Sequence, residues 1–220
     1  MKNKIIPILI LVVAIGVAWY IYNDLSKTAV SDSTEVATST IKNNLGIDFE
    51  GEGITVEEVP IEDVKQPSLD RKIVIPNSFP IETRKVVESN IKNIIAEIKQ
   101  DPKRIDKWIE YGSYLNAIND YEGAREMWEY ALAFTSNAPE IYSNLGFLYG
   151  YNLKDSVKAE ERFLLSIAVA PKEAQYYVLT AQFYIDVMQD KQKALSIINK
   201  GLVEIPKDEN LLKMSARLEK

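Results

Sequence analysis

Residues 105–138 read IDKWIEYGSYLNAINDYEGAREMWEYALAFTSNA. The next two stretches, 139–173 (PEIYSNLGFLYGYNLKDSVKAEERFLLSIAVAPKE) and 174–208 (AQYYVLTAQFYIDVMQDKQKALSIINKGLVEIPKD), repeat its residue types in order. A large aromatic stands early in each (Trp108, Tyr142, Tyr177), and a small residue follows four positions on (Gly112, Gly146, Ala181). Then comes an Asp with a small residue four further along, as Asp120/Ala124, Asp155/Ala159 and Asp190/Ala194. A bulky apolar residue (Trp128, Phe163, Ile198) and another small one (Ala131, Ser166, Gly201) complete the pattern. Pro171 and Pro206 close the second and third units, where the first has Ser136. A fixed period of this length marks a stacked array of similar pieces.

Within each unit, two apolar runs at helical spacing flank a polar turn, as in Trp108, Tyr111, Gly112, Leu115 and then Ala124, Met127, Trp128, Ala131. The Asp before each second run can accept from free N–H groups at a helix start, so it reads as an N-cap. Matched small residues let two antiparallel helices approach closely. Each pair then keeps an apolar face that only another pair can cover, which makes stacking the source of stability. The order of aromatic, small, Asp-x-x-x-Ala and Pro positions resembles the tetratricopeptide repeat (TPR). The likeness covers roughly half the chain, with one extra residue in the turn of the second and third units. It implies an all-α, TPR-type α-solenoid with three helix-pair repeats near 105–138, 139–173 and 174–208. It also implies a protein that binds other proteins rather than one that performs chemistry.

Flanking helices are expected at both ends. Val86, Val87, Ile91, Ile94, Ile95 and Ile98 recur at three- and four-residue spacing, predicting a helix over 81–100 that Asp101-Pro102 stops. Asp208 is placed to cap a terminal helix over 209–220, with Leu211, Leu212 and Met214 inside and Lys213, Arg217 and Lys220 outside. The folded region is therefore expected to span 81–220 and hold eight helices.

The chain of 220 residues contains neither cysteine nor histidine. That excludes disulfides, thiolate metal sites and the commonest general base. The net charge of −6 is uneven: residues 1–23 carry +2, residues 24–80 carry −6 and residues 81–220 carry −2. A nearly neutral repeat region offers no electrostatic footprint for nucleic acid. Paired carboxylates such as Glu57/Glu58, Glu62/Asp63 and Glu160/Glu161 lie in a flexible acidic stretch or point apart on a helix. Gly51-Glu52-Gly53 lacks the third glycine of a phosphate loop, and Asn119–Glu122 lacks calcium-loop spacing. No enzyme, metal or cofactor is expected.

After a short cytoplasmic start (1–4), residues 5–22 read IIPILILVVAIGVAWYIY without a charge. As a helix this run spans about 27 Å, close to the hydrocarbon thickness. Trp19, Tyr20 and Tyr22 gather at its far end, as rings at a membrane boundary do. A retained transmembrane anchor is the expectation; a cleaved signal is the rival, with Ala29-Val30-Ser31 as its nearest cleavage site. Lys2 and Lys4 precede the span, so the positive-inside rule puts the N-terminus in the cytoplasm and the repeats outside. Residues 23–80 read as an acidic tether, rich in Ser, Thr, Asn and Asp and then in Pro, with a reach of roughly 40 Å if flexible. Ile73-Val74-Ile75 is β-prone, so two readings stand: a solvated spacer, or an extended piece docked on the repeats.

The first helix of each TPR pair lines the inner surface of a curved array, and its outward side is the candidate protein-binding groove. The first unit offers Asp106, Ile109, Ser113, Asn116 and Ala117 there; the second offers Glu140, Ser143, Phe147, Gly150 and Tyr151. The third offers Gln175, Val178, Gln182, Ile185 and Asp186. This set holds three carboxylates and no Lys or Arg, which argues against capture of a peptide carboxylate. Phe147 and Tyr151, one turn apart, form a candidate apolar platform for a hydrophobic or basic segment. The expectation is a membrane-anchored bacterial TPR-containing adaptor for a protein or peptide partner. The alternatives are a self-associating assembly subunit of an envelope complex and a regulatory subunit of an envelope enzyme.

Overall fold

The computed structural model describes residues 64–220; the expected anchor at 5–22 and most of the tether lie outside them. The described residues are all-α, with eight α-helices and no strand. None of these helices is long and apolar enough to cross a membrane. The chain divides into two compact units, which over the described residues are 64–135 and 136–220.

In the first unit, α1 (Ile81–Gln100) packs against α2 (Ile105–Ala117), and α2 pairs with α3 (Tyr121–Leu132). Val87, Ile91, Ile94 and Ile98 form the buried stripe of α1, and Asp101 turns extended to end it before Pro102. In the second unit, α4 (Pro139–Phe147) runs into a π-helical turn (Leu148–Leu153), and α5 (Ser156–Val169) folds back on both. Next come α6 (Ala174–Asp186), packed on α5, then α7 (Lys191–Glu204) on α6. Finally α8 (Glu209–Leu218) rests on α6 and α7.

The three helix pairs share their local chemistry. Asp120, Asp155 and Asp190 each cap the second helix by accepting from the backbone N–H three residues on. Each cap follows a residue with positive φ: Asn119 at 66°, Lys154 at 62° and Gln189 at 55°. The Asp N–H donates back to Leu115 in the first pair, five residues earlier, but to Tyr149 and Tyr184 in the others, six residues earlier. The extra residue seen in the sequence sits inside that closure, and in the second pair it is taken up as the π-helical turn.

Packing inside each pair explains the matched small residues. A Cβ on Gly112 would lie 2.6 Å from the Trp128 ring, and one on Gly146 would lie 2.8 Å from Phe163. Ala181 and Ile198 occupy the same places in the third pair, both fully buried. Trp108 and Tyr177 are fully buried too. Each donates to the carbonyl of the proline six residues before it: Trp108 Nε1 to Pro102 and Tyr177 Oη to Pro171, both at 3.0 Å. Tyr142 has Ser136 at that offset.

The described end of the tether is not free. From Leu69 to Ile75 alternate side chains are half-buried, the period-two pattern of an extended chain against a surface. Arg71 reaches α3, pairing with Glu126 at 2.7 Å and Asp120 at 3.2 Å. Burial works against the Arg71 charge, but Glu126 and Asp120 outweigh it and raise its pKa. Ile73 and Ile75 line a groove of about 550 Å³ with Ile91 and Ile95 of α1.

Candidate protein-binding face

The groove positions expected in the first unit are largely occupied by their own neighbours. Ile109 is buried, with 4% of its surface exposed. The Ser113 hydroxyl donates back to the Ile109 carbonyl at 3.1 Å. Asp106 accepts two hydrogen bonds from Arg104, at 2.9 and 2.7 Å. Burial works against the Asp106 charge, yet Arg104 outweighs it and holds the carboxyl below its ordinary pKa. Asn116 and Ala117 are half-buried. This face offers a partner little that is open.

The second unit is different, and α4 with its π-helical turn is the reason. Phe147 ends the α-helical part and is 49% exposed. The π-helical turn that follows carries Tyr151 onto the same face, and the two rings stack with centroids 4.4 Å apart and planes 17° from parallel. Gly150 allows the turn to lie on α6, because a Cβ there would come within 3.0 Å of Phe183. Ser143 is buried beneath the face, with 7% exposed.

Two hydrogen bonds tie this helix to α6. Tyr151 Oη donates to Asp186 Oδ2 at 3.3 Å, and within α6 itself Gln182 Nε2 donates to the other oxygen, Oδ1, at 2.7 Å. Tyr176 Oη donates to Glu140 Oε1 at 3.1 Å. Among the described residues, neither Glu140 nor Asp186 has an ion-pair partner. Burial, then the nearby Asp186 charge, pushes the Tyr151 hydroxyl up to about 12. Burial and Glu140 raise Tyr176 in the same way. Both phenols are therefore neutral donors near neutrality and bring no positive charge to Glu140 or Asp186. Gln175 is exposed, while Val178 and Ile185 are half-buried between the polar groups.

The structure thus brings Glu140, Phe147, Tyr151, Gln182 and Asp186 together within one unit. Tyr176 belongs with them and is not among the groove positions read from the sequence. A signal existed: Tyr151 and Asp186 stand 35 residues apart and Glu140 and Tyr176 stand 36 apart. Polar partners about one period apart are neighbours when successive first helices lie side by side. Among the described residues, no three acidic side chains converge as a cation site would need. No model of a known protein family matches the chain, and no curated protein matches it.

Proposed function

We propose that this chain is a TPR-type α-solenoid protein that works as a membrane-tethered adaptor. In this reading residues 5–22 fix it in the bilayer with the repeats outside the cytoplasm, and the face of α4 and α6 recruits a protein partner. The observation that carries the reading is the exposed Phe147 ring stacked on Tyr151, whose hydroxyl is fixed by Asp186. Large rigid aromatics lose little conformational freedom on contact and tend to dominate binding energy at protein interfaces. Phe147 is 49% exposed in the free protein, an amount of apolar surface that a partner could cover. Its stacking on Tyr151 holds it in a ready conformation, which lowers the ordering cost of association.

The test compares wild type with the Phe147→Ala/Tyr151→Ala double variant, each purified in full length from solubilised membranes. The proteins captured with wild type should be lost from the variant while helicity stays the same and melting falls only modestly. Equal capture by both would overturn the role of this face. Protease treatment of intact cells is expected to digest the repeats; digestion only after lysis would reverse the orientation.

A further inference from the structure

The recruitment face has a definite charge character, and resting on the adaptor reading, we propose that its ligand is an extended segment carrying arginine. Glu140 and Asp186 are oriented by hydrogen bonds from Tyr176, Tyr151 and Gln182, all neutral donors. Each carboxylate is thus positioned without its charge being cancelled. A carboxylate oxygen has room for more than one donor, so both groups can accept further bonds from a ligand. Asp106 in the first unit shows the contrary case, since Arg104 already satisfies it.

Along the helix Phe147 stands two turns after Glu140 and stacks on Tyr151, which bonds Asp186, so its exposed half falls in order between the residues that carry the two carboxylates. A guanidinium suits such a setting better than an ammonium. It is planar, stacks on an aromatic face, and presents donors in a fork that matches a carboxylate. The spacing of the two ends limits the ligand further. Tyr176, which holds Glu140, and Asp186 are ten residues apart on α6, which is roughly 15 Å along a helix. An extended chain advances about 3.3 Å per residue, so two basic side chains four or five positions apart would meet both carboxylates. A ligand acidic at those positions would meet two like charges.

Fluorescence anisotropy of labelled peptides against the full-length protein in micelles tests this. The probes carry two arginines four positions apart around a Leu, with versions bearing glutamine or glutamate in place of arginine. The arginine peptide should bind best, and its affinity should fall as salt rises. Glu140→Gln and Asp186→Asn keep the shape of each side chain. Each should weaken that peptide roughly tenfold without lowering the melting temperature. Equal binding of the glutamine or glutamate peptide through Phe147 would overturn the arginine assignment and leave recruitment standing. Failure of every peptide, with membrane capture still dependent on Phe147 and Tyr151, would do the same. Loss of both results would remove the adaptor reading as well.

Discussion

Two helices that align in sequence, α2 and α4, bury the matched Ile109 and Ser143 alike but treat the positions around them differently. In α2, Ile109 is buried, Ser113 bonds its own backbone and Asp106 is neutralised by Arg104. In α4 and its π-helical turn, the exposed Phe147 stacks on the half-buried Tyr151, and Asp186 meets Tyr151 from α6 without a cation. One repeat spends its residues on holding the fold together; the other leaves them available. A shared pattern fixes the scaffold, and departures from it decide which surface can bind.

That contrast is broken most sharply by substitution at its two ends. Trp108→Ala removes a fully buried ring and its bond to Pro102, and should cost about 3–5 kcal/mol in urea unfolding. Phe147→Ala, at an exposed position, should move the same midpoint by less than about 1 kcal/mol. Equal costs would mean that the α4 face is structural after all.

A smaller effect sharpens the comparison at the caps. Asp155→Ala should cost about 1 kcal/mol, the usual worth of an N-cap. Asp120→Ala loses the same cap and also leaves Arg71 with Glu126 alone, so it should cost about 0.5–1 kcal/mol more. Equal costs would show that the Arg71–Asp120 pair contributes nothing to holding the strap from Leu69 to Ile75.

The smallest effect is read at high pH. Burial pushes Tyr111, Tyr151 and Tyr177 each up to about 12, and raises Tyr176 and Tyr184 as well. An unfolded tyrosine titrates near 10, so between these values the unfolded chain has released protons that the folded chain keeps. The contribution of these groups is complete below about pH 10 and is lost as pH rises toward 12. Circular dichroism should therefore show stability falling across that window. Tyr151→Phe removes one of the five groups and should shift the alkaline midpoint slightly upward; an unchanged or lower midpoint would count against the environment described for Tyr151.

Much of the fold was legible because its causes are local or periodic. The helix over 81–100, the Asp caps and the number of helices follow from apolar spacing and from side chains that bond three residues ahead. The fate of the extra residue was not legible. Nothing in LYGYNL distinguishes a longer loop from a π-helical turn until Gly150 is seen against Phe183. The docked strap is half legible: the β-prone run Ile73–Ile75 is able to dock, but the Arg71 contacts join residues 49 and 55 positions apart. The candidate face was legible in its residues and not in their state. Helical phase placed Ile109 outward, and tertiary packing buried it.

The sequence by itself determined the all-α class, the pairing of helices and their caps, since these depend on interactions within a few residues or on a repeated spacing. Only tertiary structure decided which outward positions stay open and which carboxylates have a cation beside them. Solvent exposure and charge compensation are set by what lies across a gap from another part of the chain. Arg104 beside Asp106, against Tyr151 beside Asp186, is that difference in two pairs of side chains.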